Sequence, residues 1–179
     1  PPRARMSIRS SALTGPSEAI SQFRVEKLRT EATLTLSNGT SVRGCFFVAG
    51  SSRTHAGPER IKDVLNGETG FFPFEVADSD RRSTVLYNRD HIVMVELADR
   101  GEAHTDPGYD VAIVRSVTML LSNGARLRGA VRVYRPQGRD RLSDFARAAE
   151  TFGYLETDRA TYLINVRYVL ALAEESSAS

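Results

Sequence analysis

The sequence predicts a mainly β protein that contains two tandem copies of one small unit. Residues 36–48 align without gaps on residues 121–133, and seven of the thirteen aligned positions are identical. Both stretches place an Asn-Gly pair between apolar segments, which is a strong signal for a β-hairpin. The chain of 179 residues is 41% apolar and 26% charged, as in globular domains and unlike disordered chains. Because a unit of roughly 65 residues is only marginally stable alone, we expect the two copies to share a core.

Each copy is predicted to begin with a β-hairpin. Residues 34–36 alternate between apolar and polar side chains, and Asn38-Gly39 predicts a type I′ turn because both positions tolerate a positive φ. Asn123-Gly124 repeats this signal in the second copy. Gly44 and Gly129 fall inside the second strand of each hairpin, where glycine usually marks a bulge or a sharp bend.

A short helix and three strands are predicted to follow the hairpin in each copy. In the first copy the helix covers residues 59–65, with Pro58 at its first turn and Asn66-Gly67 at its end. In the second copy residues 141–152 take this part. The predicted strands are residues 71–77, 83–88 and 91–97 in the first copy, and residues 153–157, 160–165 and 167–173 in the second.

The polar segments divide the chain into five parts. These are an extended N-terminal tail (1–24), the first repeat (25–98), a turn-rich linker (99–112), the second repeat (113–175) and a C-terminal tail (176–179). The N-terminal tail is rich in Ser, Pro, Gly and Arg, and a segment of this composition seldom orders by itself. We therefore expect it to bind another molecule through Arg3, Arg5 and Arg9.

Two motifs in each copy resemble those of Sm-like ring proteins. Residues 34–44 and 119–129 are similar to the first motif of that family, which is a strand, an Asn-Gly hairpin and a strand ending in apolar-x-Gly. Residues 85–95 are similar to the second motif, a short strand, a tight basic turn and a closing strand, and residues 162–170 resemble it less closely. The resemblance implies that each copy is a small five-stranded β-barrel, here with one short helix between the motifs. We therefore expect two such barrels packed together, and leave open whether they share a continuous sheet.

The residues with which Sm-like proteins bind RNA are not matched. That family uses an Asp and an Asn in the loop after the second strand, together with an Arg-Gly turn in the second motif. Residues 48–54 and 133–138 contain no such pair, and the turns read Asn88-Arg89-Asp90 and Val166-Arg167. The resemblance therefore predicts the fold more strongly than the RNA site, and RNA binding stays an alternative function.

No arrangement of residues predicts a catalytic, metal or cofactor site. The histidines lack the spacing of a zinc site, and each is expected to lie alone at the surface: His55, His91 and His104. Cys45 falls between apolar neighbours in a predicted strand and is interpreted as a small buried hydrophobe. Asp63 and Asp144 recur near the start of the predicted helices, where a carboxylate offsets the helix dipole. We therefore predict that the protein is not an enzyme and binds no cofactor.

A run of arginines distinguishes the second copy. Of the 24 basic residues only Lys27 and Lys62 are lysine, and arginine suits bidentate recognition of carboxylate or phosphate. Side chains at alternate positions of a strand share one face. Three arginines of the second strand therefore lie on one face and a fourth follows this strand: Arg126, Arg128, Arg132 and Arg135. This basic face is either a solvated polar surface or a docking surface for an acidic protein, lipid headgroups or nucleic acid.

These observations together predict a non-catalytic accessory or scaffold subunit that docks on a larger protein assembly. The predicted contacts are the N-terminal tail and the basic face of the second repeat. No stretch of the chain approaches the roughly 18 apolar residues of a membrane-spanning helix, so none is expected. We expect a cytoplasmic protein whose contact with any membrane is peripheral, through a partner or anionic headgroups.

Overall fold

Ten antiparallel strands form one open sheet in this computed structural model, which describes residues 27–67, 70–77, 81–134, 142 and 150–175. The first repeat contains β1 (Lys27–Leu36), β2 (Ser41–Ala49), α1 (Ile61–Gly67), β3 (Phe71–Ala77), β4 (Arg82–Asn88) and β5 (Ile92–Leu97). The second repeat contains β6 (Ile113–Leu121), β7 (Arg126–Val133), β8 (Phe152–Glu156), β9 (Thr161–Asn165) and β10 (Val169–Glu174). The strand order is β10-β6-β7-β8-β9-β5-β1-β2-β3-β4, which confirms the predicted mainly β fold.

The two repeats pair their strands in the same order and the same register. In each one the fifth strand lies beside the first, and the second, third and fourth follow in turn. Leu34 pairs with Val95 in the first repeat, and Met119 pairs with Leu172 at the equivalent position of the second. Both pairings also skip one residue of the fifth strand, which is Val93 in the first repeat and Leu170 in the second. Residues related by the sequence repeat are therefore also related in the structure.

A matching turn links the fourth and fifth strands of each repeat. Asn88 Oδ1 accepts a hydrogen bond from Asp90 N at 3.0 Å, and Asn165 Oδ1 accepts one from Arg167 N at 3.1 Å. Each of these Asn residues precedes a short 3-10 turn that leads into the fifth strand. Asn88 and Asn165 are therefore equivalent, and they align the strand pair β3–β4 with the strand pair β8–β9.

The Asn-Gly hairpins form where predicted, but the predicted type I′ turn is wrong. Gly39 and Gly124 adopt positive φ values of 86° and 84°, whereas Asn38 does not. The first loop is closed by hydrogen bonds from Gly39 N to Leu36 O and from Leu36 N to Thr40 O. This is a three-residue loop that ends in a left-handed glycine. The side-chain oxygen of Asn38 accepts a hydrogen bond from Thr40 N at 3.0 Å, which stabilises this geometry.

Gly44 and Gly129 let the third strand of each repeat approach the second closely. A Cβ atom on Gly44 would lie 2.0 Å from the carbonyl oxygen of Glu75, and one on Gly129 would lie 2.4 Å from that of Glu156. The register of the β1–β2 and β6–β7 pairs shows no shift at these glycines. They therefore serve close backbone approach rather than a bulge.

Helix α1 begins at Ile61, two residues later than predicted. Glu59 stays outside the helix, since its carboxylate accepts a hydrogen bond from Ala49 N at 2.8 Å. Residues 141 and 143–149 of the predicted helix at residues 141–152 lie outside the described residues. Its last residue, Phe152, begins β8 instead.

The strand pairings do not confirm two closed barrels. Among the described residues, no pairing joins the third or fourth strand of a repeat to its own fifth strand. β9 of the second repeat pairs instead with β5 of the first, and Leu163 lies opposite Val95. The sheet is therefore continuous through both repeats, which was the alternative left open by the sequence.

Two hydrophobic clusters pack on this sheet, and each takes residues from both repeats. The first cluster surrounds Phe46 of the first repeat and also contains three residues of the second, namely Phe152, Tyr154 and Leu163. The second cluster consists mainly of residues from the second repeat and also contains Val93 of β5. Each repeat thus contributes residues to the hydrophobic cluster of the other where β5 meets β9. We call this contact the β5–β9 junction.

Candidate functional site

The predicted basic face of β7 is largely neutralised by carboxylates of the same chain. Arg128 is exposed and forms an ion pair with Glu175. Arg132 is half-buried, its Nε donates to Glu156 Oε1 at 2.9 Å, and its guanidinium lies 3.4 Å from the centre of the Tyr109 ring. Both carboxylates are distant in sequence from β7, so the local pattern of arginines did not reveal them.

The remaining arginines predicted to bind a partner add no support for this face. Arg126 is exposed, and no carboxylate pairs with it in the part of the chain that the structure describes. The others lie outside the described residues: Arg135, Arg3, Arg5 and Arg9. Partner binding by these arginines therefore stays a prediction.

Arg89, in the turn that resembles the second Sm-like motif, is buried rather than displayed. Its guanidinium donates hydrogen bonds to the backbone carbonyls of Val64 at 3.2 Å, Gly70 at 3.3 Å and Phe71 at 3.1 Å. The side chain thus ties the end of α1 to the start of β3. In this position it supports the fold and is not presented to an RNA phosphate.

A cavity of about 590 Å³ lies between α1 and the second repeat. Four basic side chains and four carboxylates line it: His55, Arg60, Lys62 and Arg132, with Asp63, Asp106, Glu150 and Glu156. Each of these basic side chains is paired with at least one of the carboxylates. Because each basic side chain in the described part of this lining has a carboxylate partner, these residues offer no uncompensated cation to attract an anionic ligand.

Asp106 is the centre of a buried charge network that joins the linker to α1. Its Oδ1 accepts a hydrogen bond from Arg60 at 2.6 Å, and its Oδ2 accepts one from Lys62 Nζ at 2.9 Å. The Lys62 ammonium also lies 2.9 Å from Glu150. The side chains of Asp106, Arg60 and Lys62 are each less than one-tenth exposed, so their charges depend on one another for compensation.

Glu102 holds together the linker, α1 and β8. Its carboxylate accepts hydrogen bonds from Ile61 N at 3.2 Å, from Lys62 N at 3.4 Å and from the Tyr154 hydroxyl at 2.9 Å. Burial raises the pKa of Glu102, although these three donors favour the ionised form. Burial also raises the pKa of Tyr154, and the negative charge of Glu102 adds to this effect. The group caps the start of α1, and we assign it a structural role.

Asp63 and His55 form a largely buried pair at the start of α1. Asp63 Oδ2 lies 2.7 Å from His55 Nε2, and Asp63 Oδ1 lies 2.8 Å from the Arg60 guanidinium. Burial by itself would raise the pKa of Asp63, but hydrogen bonds from Arg60 and His55 outweigh this effect and lower the pKa to about 2. Two hydrogen bonds raise the pKa of His55. The one between His55 Nδ1 and the Ala56 carbonyl has the larger effect, and the one to Asp63 has the smaller.

The Asp63–His55 pair should make stability depend on pH in two directions. The pKa of Asp63 lies below its ordinary value of 3.8, so its stabilising contribution is present above about pH 4 and is lost as the pH falls towards 2. The pKa of His55 lies above its ordinary value of 6.5, so its contribution is full below about pH 6.5 and is lost as the pH rises through the raised pKa. Urea unfolding at a series of pH values should therefore show maximal stability between these limits.

Two variants separate these contributions. Asp63→Asn should remove the decline in acid, so that the wild-type protein loses about 1–2 kcal/mol more than this variant between neutral pH and pH 2. His55→Gln should remove the decline at higher pH and only reduce the decline in acid, because Arg60 still lowers the pKa of Asp63. Parallel pH profiles for the wild-type protein and both variants would show that the pair does not carry this dependence.

The structure corrects two expectations about residues capable of chemistry. His55 is not a lone surface histidine, since its side chain is paired with Asp63. His91 and His104 are exposed as expected but are not alone, since His91 Nδ1 lies 3.3 Å from the Ser37 hydroxyl and His104 Nε2 lies 3.8 Å from Glu156. Cys45 is half-buried rather than buried, and desolvation raises the pKa of its thiol. A raised pKa leaves less of the reactive thiolate at neutral pH.

The β5–β9 junction buries the outer face of β8 and β9 against the first repeat. Phe152, Tyr154 and Leu163 are 1%, 8% and 0% exposed, respectively. The side chain of Asn66, at the end of α1, donates to the Phe152 carbonyl and accepts from Phe152 N, both at 2.9 Å. The junction therefore combines strand pairing, apolar packing and hydrogen bonds to a helix.

The equivalent face at the other end of the sheet is exposed. Phe71 and Leu86 occupy the positions of Phe152 and Leu163, yet they are 64% and 63% exposed. Pro73, opposite Leu86, is exposed as well. Among the described residues β4 pairs only with β3. We call the side of β4 that faces away from β3, together with this apolar strip of Phe71 and Pro73 from β3 and Leu86 from β4, the β4 edge.

Sequence analysis missed the β4 edge, although the repeat contains a signal for it. The aligned repeats place a phenylalanine at residues 71 and 152 and a leucine at residues 86 and 163. Recognising that one pair is covered and the other exposed requires the strand order, which no local pattern reveals.

Comparisons of the chain with protein-family models, curated proteins and solved structures gave no match. They identify no family, so the resemblance to Sm-like proteins stays a prediction from the motifs. In the part of the chain described above, no helix is long and apolar enough to cross a membrane. Within the same residues, no group of three or more His, Cys, Asp or Glu side chains is placed to hold a metal ion.

Proposed function

We propose that this protein is a non-catalytic scaffold subunit, which docks on a larger protein assembly through the β4 edge. The observation that carries the proposal is the exposed apolar strip formed by Phe71 and Pro73 of β3 with Leu86 of the terminal strand β4. Such a strand presents both unpaired backbone groups and apolar side chains, which together form a template for pairing with another chain.

A protein partner suits this edge better than a nucleic acid does. On the same face of β3 as Phe71 and Pro73, Glu75 is compensated by ion pairs with Arg29 at 3.2 Å and with Arg82 at 3.3 Å. Nucleic-acid binding depends on cations that are free to neutralise phosphates. A contact between strands needs apolar burial and backbone hydrogen bonds instead, and the β4 edge offers both.

The two contacts predicted from the sequence, the basic face of β7 and the N-terminal tail, do not support this proposal equally. The basic face of β7 contributes less than predicted, because Glu175 and Glu156 neutralise Arg128 and Arg132. The N-terminal tail remains a second predicted contact. We further propose that each repeat has the curvature of a small barrel, and that the assembly is cytoplasmic, with any membrane contact being peripheral.

Native purification from the source organism tests this proposal. We expect a ribonuclease-resistant particle whose mass is several times the 19.7 kDa of the chain. A tagged Leu86→Arg variant should be recovered in that particle at least about tenfold less efficiently than the wild type, because docking would bury the new charge.

The matched control is Val111→Arg, since Val111 is 85% exposed in the linker and not on the edge. This variant should enter the particle like the wild type. Migration of the wild-type protein as a monomer in the extract would contradict the proposal. Loss of the particle with ribonuclease would also contradict it and would favour the RNA-binding alternative.

A further inference from the structure

We infer that His55 is a pH-dependent latch, which in its imidazolium form fastens the loop between β2 and α1 to the first turn of α1. This loop spans residues 50–60. Thr54 and His55 line the cavity between α1 and the second repeat, so the latch holds one wall of that cavity. The inference does not depend on the proposed function, because none of these residues belongs to the β4 edge.

The base of the loop is closed without His55. Glu59 N donates to the Ala49 carbonyl at 2.9 Å, and the Glu59 carboxylate accepts from Ala49 N at 2.8 Å. Within the loop, Ser52 N donates to the Gly57 carbonyl at 2.8 Å. These contacts join the loop to itself and to the end of β2, whereas the His55 ring joins its tip to α1. The latch therefore acts on the tip of the loop and leaves the base intact.

The two partners of the His55 ring can only accept hydrogen bonds. Nε2 lies 2.7 Å from the carboxylate of Asp63, and Nδ1 lies 3.0 Å from the carbonyl of Ala56. A neutral imidazole carries a proton on one nitrogen only, whereas an imidazolium donates from both. Both contacts are therefore hydrogen bonds at the same time only when the ring is protonated. Loss of the proton leaves one nitrogen lone pair facing an oxygen atom, in a side chain that is only 10% exposed.

The groups around His55 favour the same protonated form. The hydrogen bond to Ala56, followed by the one to Asp63, raises the pKa of His55 above its ordinary value of 6.5, while burial and the guanidinium of Arg60 oppose this rise. The latch is therefore closed below about pH 6.5 and opens as the pH rises through the raised pKa. The other charged side chains of the cavity come from α1, the linker, β7, β8 and the segment before β8: Lys62, Asp106, Arg132, Glu156 and Glu150.

Release of the loop leaves the start of α1 in place. Asp63 Oδ2 also accepts a hydrogen bond from Arg60 N at 2.9 Å, and Asp63 Oδ1 accepts one from the Arg60 guanidinium at 2.8 Å. Asp63 therefore stays ionised and bound when His55 loses its proton. Arg60 also keeps its ion pair with Asp106. The change in pH thus loosens the loop and not the contact between α1 and the linker.

Nuclear magnetic resonance on the full chain tests the latch. The His55 ring should titrate with a midpoint above 6.5, and both of its nitrogens should carry a proton below that midpoint. Order parameters of the backbone Cα–H bonds at Ser52 and Thr54 should be about 0.85 at low pH and fall below about 0.6 once the ring is neutral. The order parameter at Val95, in the buried strand β5, should stay constant.

Trypsin gives a second readout, because Arg53 lies exposed at the tip of the loop. Cleavage after Arg53 requires local opening, so its rate relative to an arginine-containing reference peptide reports the open population. This ratio should rise at least about fivefold between about pH 6 and about pH 8.5. In His55→Gln, whose side chain does not titrate, the ratio should be independent of pH. The matched control is His91→Gln, which should behave like the wild type, since His91 is exposed and lies outside the loop.

Three results would overturn the inference. The first is a His55 midpoint at or below 6.5. The second is a His55 ring that titrates while the order parameters at Ser52 and Thr54 stay constant. The third is a rise of Arg53 cleavage with pH that persists in His55→Gln, since another group would then control the loop. Each of these results leaves the recovery of the native particle unaffected, and that recovery tests the scaffold proposal separately.

Discussion

Replacing Phe152 by alanine is expected to lower the free energy of unfolding by about 3–5 kcal/mol. Phe152 is 1% exposed and packs in the hydrophobic cluster of the other repeat. Its truncation would leave a cavity between β8 and α1, and the backbone hydrogen bonds to Asn66 would hold the surrounding chain in place. Urea denaturation of the purified variant measures the loss.

Phe71→Ala is the matched control, because Phe71 has the same position in the first repeat and is 64% exposed. Its free energy of unfolding should change by less than about 1 kcal/mol when measured at a concentration where the chain is monomeric. Equal losses of unfolding free energy for the two variants would contradict the conclusion that this face is buried in the second repeat and exposed in the first.

Asp106→Ala should cost about 3 kcal/mol of stability. The substitution leaves the buried cations of Arg60 and Lys62 without the carboxylate they share. We expect the lower end of the range for buried ion pairs because Arg60 keeps Asp63 and Lys62 keeps Glu150. Thermal and urea unfolding both report this change.

Glu31→Ala serves as the control for this substitution. Glu31 pairs with Arg43 at 3.5 Å, but both side chains are more than three-fifths exposed, so its loss should cost less than about 1 kcal/mol. A loss for Asp106→Ala as small as that for Glu31→Ala would show that the network around Asp106 does not hold the linker against α1.

Local features of the fold could be predicted from the sequence because their causes are local. The Asn-Gly pairs identified both hairpins, and the position of β3 (Phe71–Ala77) was predicted without error. The exception within this group is the turn type, since the side chain of Asn38 binds Thr40 N and the Asn stays at negative φ. The internal repeat was visible because several of its identities lie at structurally demanding positions such as Gly44 and Gly129.

Features that join distant segments could not be predicted in this way. The pairing of β5 with β9 links Val95 to Leu163, and neither local alternation nor turn chemistry specifies that contact. The neutralisation of Arg128 depends on Glu175, and the position of His55 depends on how its loop returns to Asp63. The candidate docking edge depends on strand order, so it emerged only when Phe71 was compared with its buried equivalent Phe152.

Recovery of the Leu86→Arg variant in the native particle tests the central claim most directly. If the β4 edge docks on another protein chain, this variant will be recovered at least about tenfold less efficiently than the wild type, and Val111→Arg will be recovered like the wild type. Equal recovery of both variants and the wild type, or a wild-type protein that remains a monomer in the extract, would contradict the claim that the β4 edge is a docking surface.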